Sequence, residues 1–167
     1  MKRLSTLAAA LLLSAAQSAP PPSLARKLPP APEIVLAAAP PPDSGPQRPN
    51  KIGDHRLLPA GQLGKGKWTK SPHLWRLALR SNGAAAMRVH FLAFRVGQGQ
   101  AWVHNGKDWF GPYTGNGLYD DGDFWSHIVP GDRLVLEYAP PPGVKRPKSP
   151  PPFQVREVSH LSVNPLE

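Results

Sequence analysis

Cysteine is missing from all 167 residues. That absence excludes disulfides, thiolate nucleophiles and Cys-based zinc sites, so buried apolar surface must hold the fold. Acidic residues are scarce: 11 Asp and Glu stand against 20 Lys and Arg, a formal charge of +9. Such a surplus points toward anionic partners, whether cell-wall polymers or acidic proteins. Helical periodicity is absent too, because no window repeats apolar residues at the spacing of an amphipathic helix. None of the six histidines sits in an H-x-x-x-H or H-E spacing, so no helical zinc motif is present.

Long hydrophobic runs are limited to one, Leu4 to Ala16. It follows the basic start Met1-Lys2-Arg3 and precedes the small residues Ala16-Gln17-Ser18. This layout reads as a secretory signal peptide over residues 1–18, cleaved after Ser18 or Ala16, and the run is too short for a bilayer span. A secreted or periplasmic protein is expected, with no membrane association after cleavage and a charge of about +7 once Lys2 and Arg3 are gone. Basic residues are scattered except at Lys65-Lys67-Lys70 and Lys145-Arg146-Lys148. No nucleic-acid motif accompanies them, so nucleic acid is not an expected partner.

Proline is what the chain has in plenty, 23 residues of it. Residues 19–50 read as a Pro-rich linker that favours polyproline II and builds no core of its own. Within it Glu33 to Ala39, "EIVLAAA", is a possible edge strand. A second cluster, Ala139 to Pro152, reads as a basic loop. Residues 51–162 are the folded domain and residues 163–167 a tail.

Inside that domain the apolar period is two. Trp75, Leu77 and Leu79 share one face, with Arg76 and Arg80 opposite; Asn82-Gly83 is a favoured hairpin turn. Met87, Val89, Phe91 and Ala93 form the next apolar face, with Arg88 and His90 behind it. "GQGQ" reads as a turn before the strand "AWVH". "GDFWSHIV" and "RLVLEY" read as neighbouring antiparallel strands joined by Pro130-Gly131-Asp132. At the end, Phe153, Val155, Glu157 and Ser159 alternate with Gln154, Arg156, Val158 and His160. The pattern predicts an all-β fold, an antiparallel β-sandwich of jelly-roll type behind a Pro-rich tract. Core anchoring is the expected role of Trp75 and Trp125.

Several motifs fail on inspection. "PDSGP", Pro42 to Pro46, is superficially similar to the Gly-Asp-Ser-Gly-Gly-Pro of trypsin-like nucleophiles, but proline replaces the first glycine and the surroundings are linker. "GQLGKGKW", Gly61 to Trp68, has phosphate-loop spacing, yet Trp68 stands where magnesium needs Ser or Thr. Asp120, Asp121 and Asp123 are calcium candidates, although Gly131 occupies the position of an EF-hand glutamate. Two Trp-x-His pairs, Trp102 with His104 and Trp125 with His127, are candidates for a sugar-stacking platform together with Trp109. Their alternative roles are the wetted rim of a core and half of a metal site. Convergence of Asp123, Ser126 and His127 in a cleft would mark a catalytic site; none is expected, nor is any cofactor.

Read in order, "IGDHRLLP" (Ile52 to Pro59), "LWRLALRSNGAAAMRVHF" (Leu74 to Phe91), "GPYTGNG" (Gly111 to Gly117), "GDFWSHIVPGDRLVLEY" (Gly122 to Tyr138) and "FQVREVSHL" (Phe153 to Leu161) carry a family likeness. The chain resembles, over about residues 31–162, the N-terminal non-catalytic domain of secreted bacterial trypsin-like serine endopeptidases of the lysyl-endopeptidase-like group. The resemblance implies a β-sandwich pro-region or accessory module, followed in longer relatives by a protease with a Cys-rich start and a Ser-His-Asp triad. These residues hold no cysteine and no Gly-Asp-Ser-Gly, so no catalytic role carries over. A truncated protease or a free-standing accessory protein is expected, monomeric and non-enzymatic, whose partner is a trypsin-like protease domain or a cell-surface polymer.

Overall fold

The computed structural model of the chain describes residues 19–38, 52–144 and 150–167. The expected signal peptide, the Pro42 to Pro46 motif and the Lys145-Arg146-Lys148 cluster lie outside these residues. Eleven strands are present among the described residues: β1 (Glu33–Val35), β2 (Gly53–Leu57), β3 (Lys67–Trp68), β4 (Trp75–Arg80), β5 (Ala86–Leu92), β6 (Gly97–His104), β7 (Trp109–Gly115), β8 (Phe124–Trp125), β9 (Val129–Pro130), β10 (Arg133–Ala139) and β11 (Gln154–Leu161). The helical content of the described residues is one 3-10 turn, Gln62–Lys65. The all-β architecture follows from the period-two pattern, since alternation places one apolar face on each strand.

The strands form two sheets. The six-stranded sheet runs β1-β4-β10-β6-β7, with β3 also on β4; the five-stranded sheet runs β2-β11-β5-β8, with β9 also on β5. One core joins them, with Trp75, Leu77 and Leu79 of β4 and Leu134, Leu136 and Tyr138 of β10 facing Met87, Val89 and Phe91 of β5. Phe91 is its centre. Its ring lies 5.1 to 6.0 Å from those of Phe94, Tyr113, Phe124 and Phe153, and pairs of this kind add about 0.5–1.5 kcal/mol beyond area burial. Gly66 is required by Trp75, because a Cβ at residue 66 would collide with the indole ring.

Both expected hairpins are corrected. β4 and β5 flank Asn82-Gly83 but belong to different sheets, and so do β9 and β10 around Pro130-Gly131-Asp132. A turn sequence sets where the chain reverses, whereas cross-strand packing sets which strand it joins. β10 pairs with β4 instead, setting Leu134 against Leu79, Leu136 against Leu77 and Tyr138 against Trp75. The two turns become adjacent corners of the sandwich. The Ser81 amide donates to the Asp132 carbonyl, the Gly131 amide donates to the Ala85 carbonyl, and Arg80 pairs with Asp132 at 3.0 Å.

Three local readings change as well. "GQGQ" lies within β6 rather than in a turn. Ala93 leaves the strand at a φ of 48° and is exposed, so Phe94 takes the core place instead. In β11 the register shifts between Val155 and Glu157. A bulge there inserts one residue and inverts the later alternation. Val155 and Val158 therefore face the core, while the Glu157 carboxylate meets histidines on the opposite face.

The largest difference concerns the Pro-rich tract. Its described part, residues 19–38, is docked on the six-stranded sheet and is no free tether. Glu33–Val35 adds parallel to β4 as an edge strand. Ahead of it residues 19–32 form a strap across the outer face, passing β6, β10 and β4 in turn. β4 is consequently buried from Trp75 to Leu79, on both of its faces.

Candidate functional site

Register builds a polar row beneath the strap. Arg76 of β4, Glu137 of β10 and Trp102 of β6 are cross-strand neighbours, and His104 lies one pleat further along β6. All four side chains point away from the core because their strand neighbours Trp75, Leu77, Leu136, Tyr138, Ala101 and Val103 point into it. The strap meets this row through its backbone. Trp102 Nε1–H donates to the Ala19 carbonyl at 2.9 Å, the Ser23 amide donates to Glu137 Oε1 at 3.0 Å, and Arg76 donates to the Pro29 carbonyl at 2.9 Å. Ala31 packs on Ala78 and Val135 as a small separate apolar cluster.

Glu137 is 0% exposed. Burial alone would push its carboxyl upward; the His104 imidazole and the Ser23 amide outweigh burial and hold it below the usual carboxylate range. The pairing is loose all the same. His104 Nε2 stands 3.5 Å and Arg76 Nε 3.8 Å from Glu137 Oε2, and none of the three atoms closes a hydrogen bond.

A second row of the same residue types lies on the outer face of the five-stranded sheet. His90 and Trp125 are cross-strand partners, with rings stacked at 4.8 Å and 12°. His55 tilts against the same indole at 5.0 Å, and the Arg88 guanidinium sits 4.6 Å above it. Asp123 Oδ1 is 2.5 Å from His90 Nε2; Glu157 reaches His55 Nδ1 at 3.1 Å and His90 Nδ1 at 3.4 Å. Trp125 is thus a half-buried outer-face residue, not a core anchor.

The sequence candidates separate. Trp102 and His104 are buried under the strap, at 1% and 3% exposure, and present no open platform. Trp109 is exposed on β7. His127 does not join Trp125: it stacks on Phe110 at 5.0 Å, and its Nδ1 lies 2.9 Å from the Tyr113 hydroxyl. Burial pushes Tyr113 up to about 12, against a smaller opposing effect from the His127 amide. Ser126 is buried and structural, accepting the Val89 amide and donating to the His127 carbonyl. Asp123, Ser126 and His127 therefore have three different sets of partners and do not converge.

The acidic candidates diverge likewise. Asp120 accepts from Asn116, Asp121 accepts from the Asp123 amide, and Asp123 pairs with His90. Among the described residues no group of three or more His, Asp or Glu is arranged to hold a metal.

Other contacts were invisible to motif reading. Ser81 Oγ lies 2.8 Å from His160 Nδ1. Ser81 is 1% exposed, so the pair locks a sandwich corner and offers no nucleophile to a substrate. Burial lowers His160, Arg56 lowers it further and Asp54 works against both. Arg76 and Glu137 were missed as site residues, although a lone acid inside the apolar "RLVLEY" is the signal that marks Glu137.

Grooves open on the surface of the described residues. One, about 590 Å3, runs between Leu58–Gly64 and Pro150–Val155. Another, about 660 Å3, lies where the strap meets β3. Its walls are Pro29, Pro30, Pro32 and Trp68, and its charges are Lys67, Lys70 and Arg76. No protein family, curated protein or solved structure matches the chain significantly.

Proposed function

We propose that this chain is a secreted or periplasmic, non-catalytic β-sandwich of jelly-roll type serving a trypsin-like serine endopeptidase system. Its role is to assist folding, restrain the zymogen or hold the enzyme at a surface. The observation that carries this reading is the strap, a segment of chain gripped through its backbone by Trp102, Glu137 and Arg76. Holding a chain segment through its backbone is compatible with a pro-region or accessory module, which handles chain without transforming it. The ordered motifs over residues 31–162 support the protease connection. A chain that crosses between sheets at β4–β5, β5–β6, β7–β8, β9–β10 and β10–β11 supports the jelly-roll form.

The test is refolding. Purified chain added to a denatured trypsin-like lysyl endopeptidase domain raises the recovery of activity or binds the refolded enzyme, and hydrolyses no lysyl or arginyl ester itself. Ester hydrolysis blocked by a serine-directed inhibitor refutes the non-catalytic role. Unchanged recovery with no complex refutes the protease role.

A second reading, binding of cell-wall polysaccharide, is favoured by the 660 Å3 groove, which sets Lys67, Lys70 and Arg76 beside Trp68 with no acid in its lining. Retention on an acidic polysaccharide at low salt, lost on Lys67→Glu with Lys70→Glu, supports it. Equal retention of that double variant counts against it.

A further inference from the structure

The strap residues 19–32 occupy a face that is built to hold them but is incompletely satisfied by them. Recognition runs through the main chain: the Trp102 indole and the Arg76 guanidinium donate to strap carbonyls, and Glu137 accepts a strap amide. Between its anchor points the strap turns, with the Leu24 amide donating to the Pro21 carbonyl and the Arg26 amide to the Ser23 carbonyl, while the Ala19, Pro29 and Pro32 carbonyls are taken by donors of the sheet. The donors sit on three neighbouring strands, β6, β10 and β4, and contact residues 19, 23 and 29. They read the backbone of the segment at three points more than its side chains.

The apolar hold is small. Of residues 19–32 only Pro21 and Ala31 are buried. Beneath them His104 Nδ1, His104 Nε2, Glu137 Oε2 and Arg76 Nε are buried without a hydrogen-bond partner among the described residues, and each carries a desolvation penalty that a permanent core layer would relieve. A segment held by four hydrogen bonds to its backbone, at Ala19, Ser23, Pro29 and Pro32, and by two buried apolar residues, over unsatisfied polar atoms, leaves its site more readily than a core strand does.

We infer that the outer face of the six-stranded sheet is a receptor for a proline-rich segment, filled intramolecularly by residues 19–32, and that a second copy of this chain supplies the same segment when the first strap leaves. The identity of the occupant follows from the fit already present, because the second copy carries the same Ala19, Ser23 and Pro29. Exchange keeps every contact and changes only connectivity, the usual low-cost route to a dimer. This inference does not rest on the protease reading, and its test uses no protease substrate.

The experiment uses the full chain with a specific cleavage sequence replacing residues 43–48, outside the described residues. After cutting, a fluorescent peptide of residues 19–38 exchanges into the face with saturable binding. Unlabelled peptide displaces it. A Ser23→Pro peptide, which lacks the amide that Glu137 accepts, binds about tenfold or more weaker, as one lost hydrogen bond of this kind predicts; because the change is in the peptide, folding of the receptor is not in question. Uncut chains carrying two different dyes form mixed dimers by energy transfer at high concentration. The inference is overturned if the cut chain never takes up peptide, if the Ser23→Pro peptide binds as tightly as the original, or if the two dyed chains stay monomeric at every concentration.

Discussion

The two outer faces of the sandwich carry the same set of side chains and put them to different use. Under the strap stand a Trp, a His, a Glu and an Arg (Trp102, His104, Glu137, Arg76). On the five-stranded sheet Trp125 stands with His55, His90, Glu157 and Arg88. The covered set is dry and leaves four buried polar atoms without a hydrogen-bond partner among the described residues; the open set leaves two, Arg88 Nε and His90 Nδ1, and has its rings stacked and its Glu157 near two imidazoles. Composition is nearly equal, so the contrast is one of degree and follows the covering layer. Burial raises what each lost partner costs, because an unpaired charge in a dry site has no water to fall back on.

The comparison breaks most easily at the acids. Glu137→Ala leaves the Arg76 guanidinium buried without its carboxylate and is expected to cost about 3–5 kcal/mol. Glu157→Ala, on the open face, is expected to cost about 1 kcal/mol or less. Urea midpoints of the two variants measure the difference, and equal losses would remove the distinction between the faces. The tryptophans come next. Trp102→Phe forfeits the bond to the Ala19 carbonyl and is expected to cost about 1–2 kcal/mol, while Trp125→Phe weakens a ring stack and a cation–π contact worth about 0.5–1 kcal/mol. The same denaturation series ranks them.

Titration sharpens the contrast further. The folded-state pKa of Glu137 is depressed, so its stabilising effect is complete above the ordinary carboxylate value and is lost as the pH falls through the folded value. His160 adds to this acid sensitivity, because its depressed value means that acid charges the unfolded chain first. Tyr113 acts at the other limb. Raised from 10.0 to about 12, it favours the fold below pH 10 and withdraws that support as the pH climbs toward 12. Melting temperatures against pH are expected to flatten on the acid side in Glu137→Gln and on the alkaline side in Tyr113→Phe. The smallest effect belongs to exposed Trp109, where Ala changes stability by about 0.5 kcal/mol or less.

Much of the fold was legible because alternation is a local property. Trp75, Leu77 and Leu79 declare a face within one strand, and that sufficed for an all-β domain. Sheet membership was not legible. Asn82-Gly83 and Pro130-Gly131 each announce a reversal, but whether the next strand stays in the sheet depends on residues such as Leu134 meeting Leu79, more than fifty positions away. The bulge in β11 was hidden for a related reason: one inserted residue moves Glu157 off its nominal face with no change in composition. The site was read least well. Trp102 and His104 looked like a surface platform because their strand face is outward, and outward means exposed only if nothing lies on top. The covering layer came from prolines whose composition reads as linker. Its anchors are backbone carbonyls and amides, which carry no residue-type signal.

The central claim is that a backbone-held strap covers Trp102. The most direct measurement is deuterium exchange of the five assigned indole N–H groups by NMR. The account predicts Trp102 exchanging slower than exposed Trp109 by a factor on the order of 100, with that protection falling sharply in Ser23→Pro. Equal rates for Trp102 and Trp109, or protection untouched by Ser23→Pro, would contradict it.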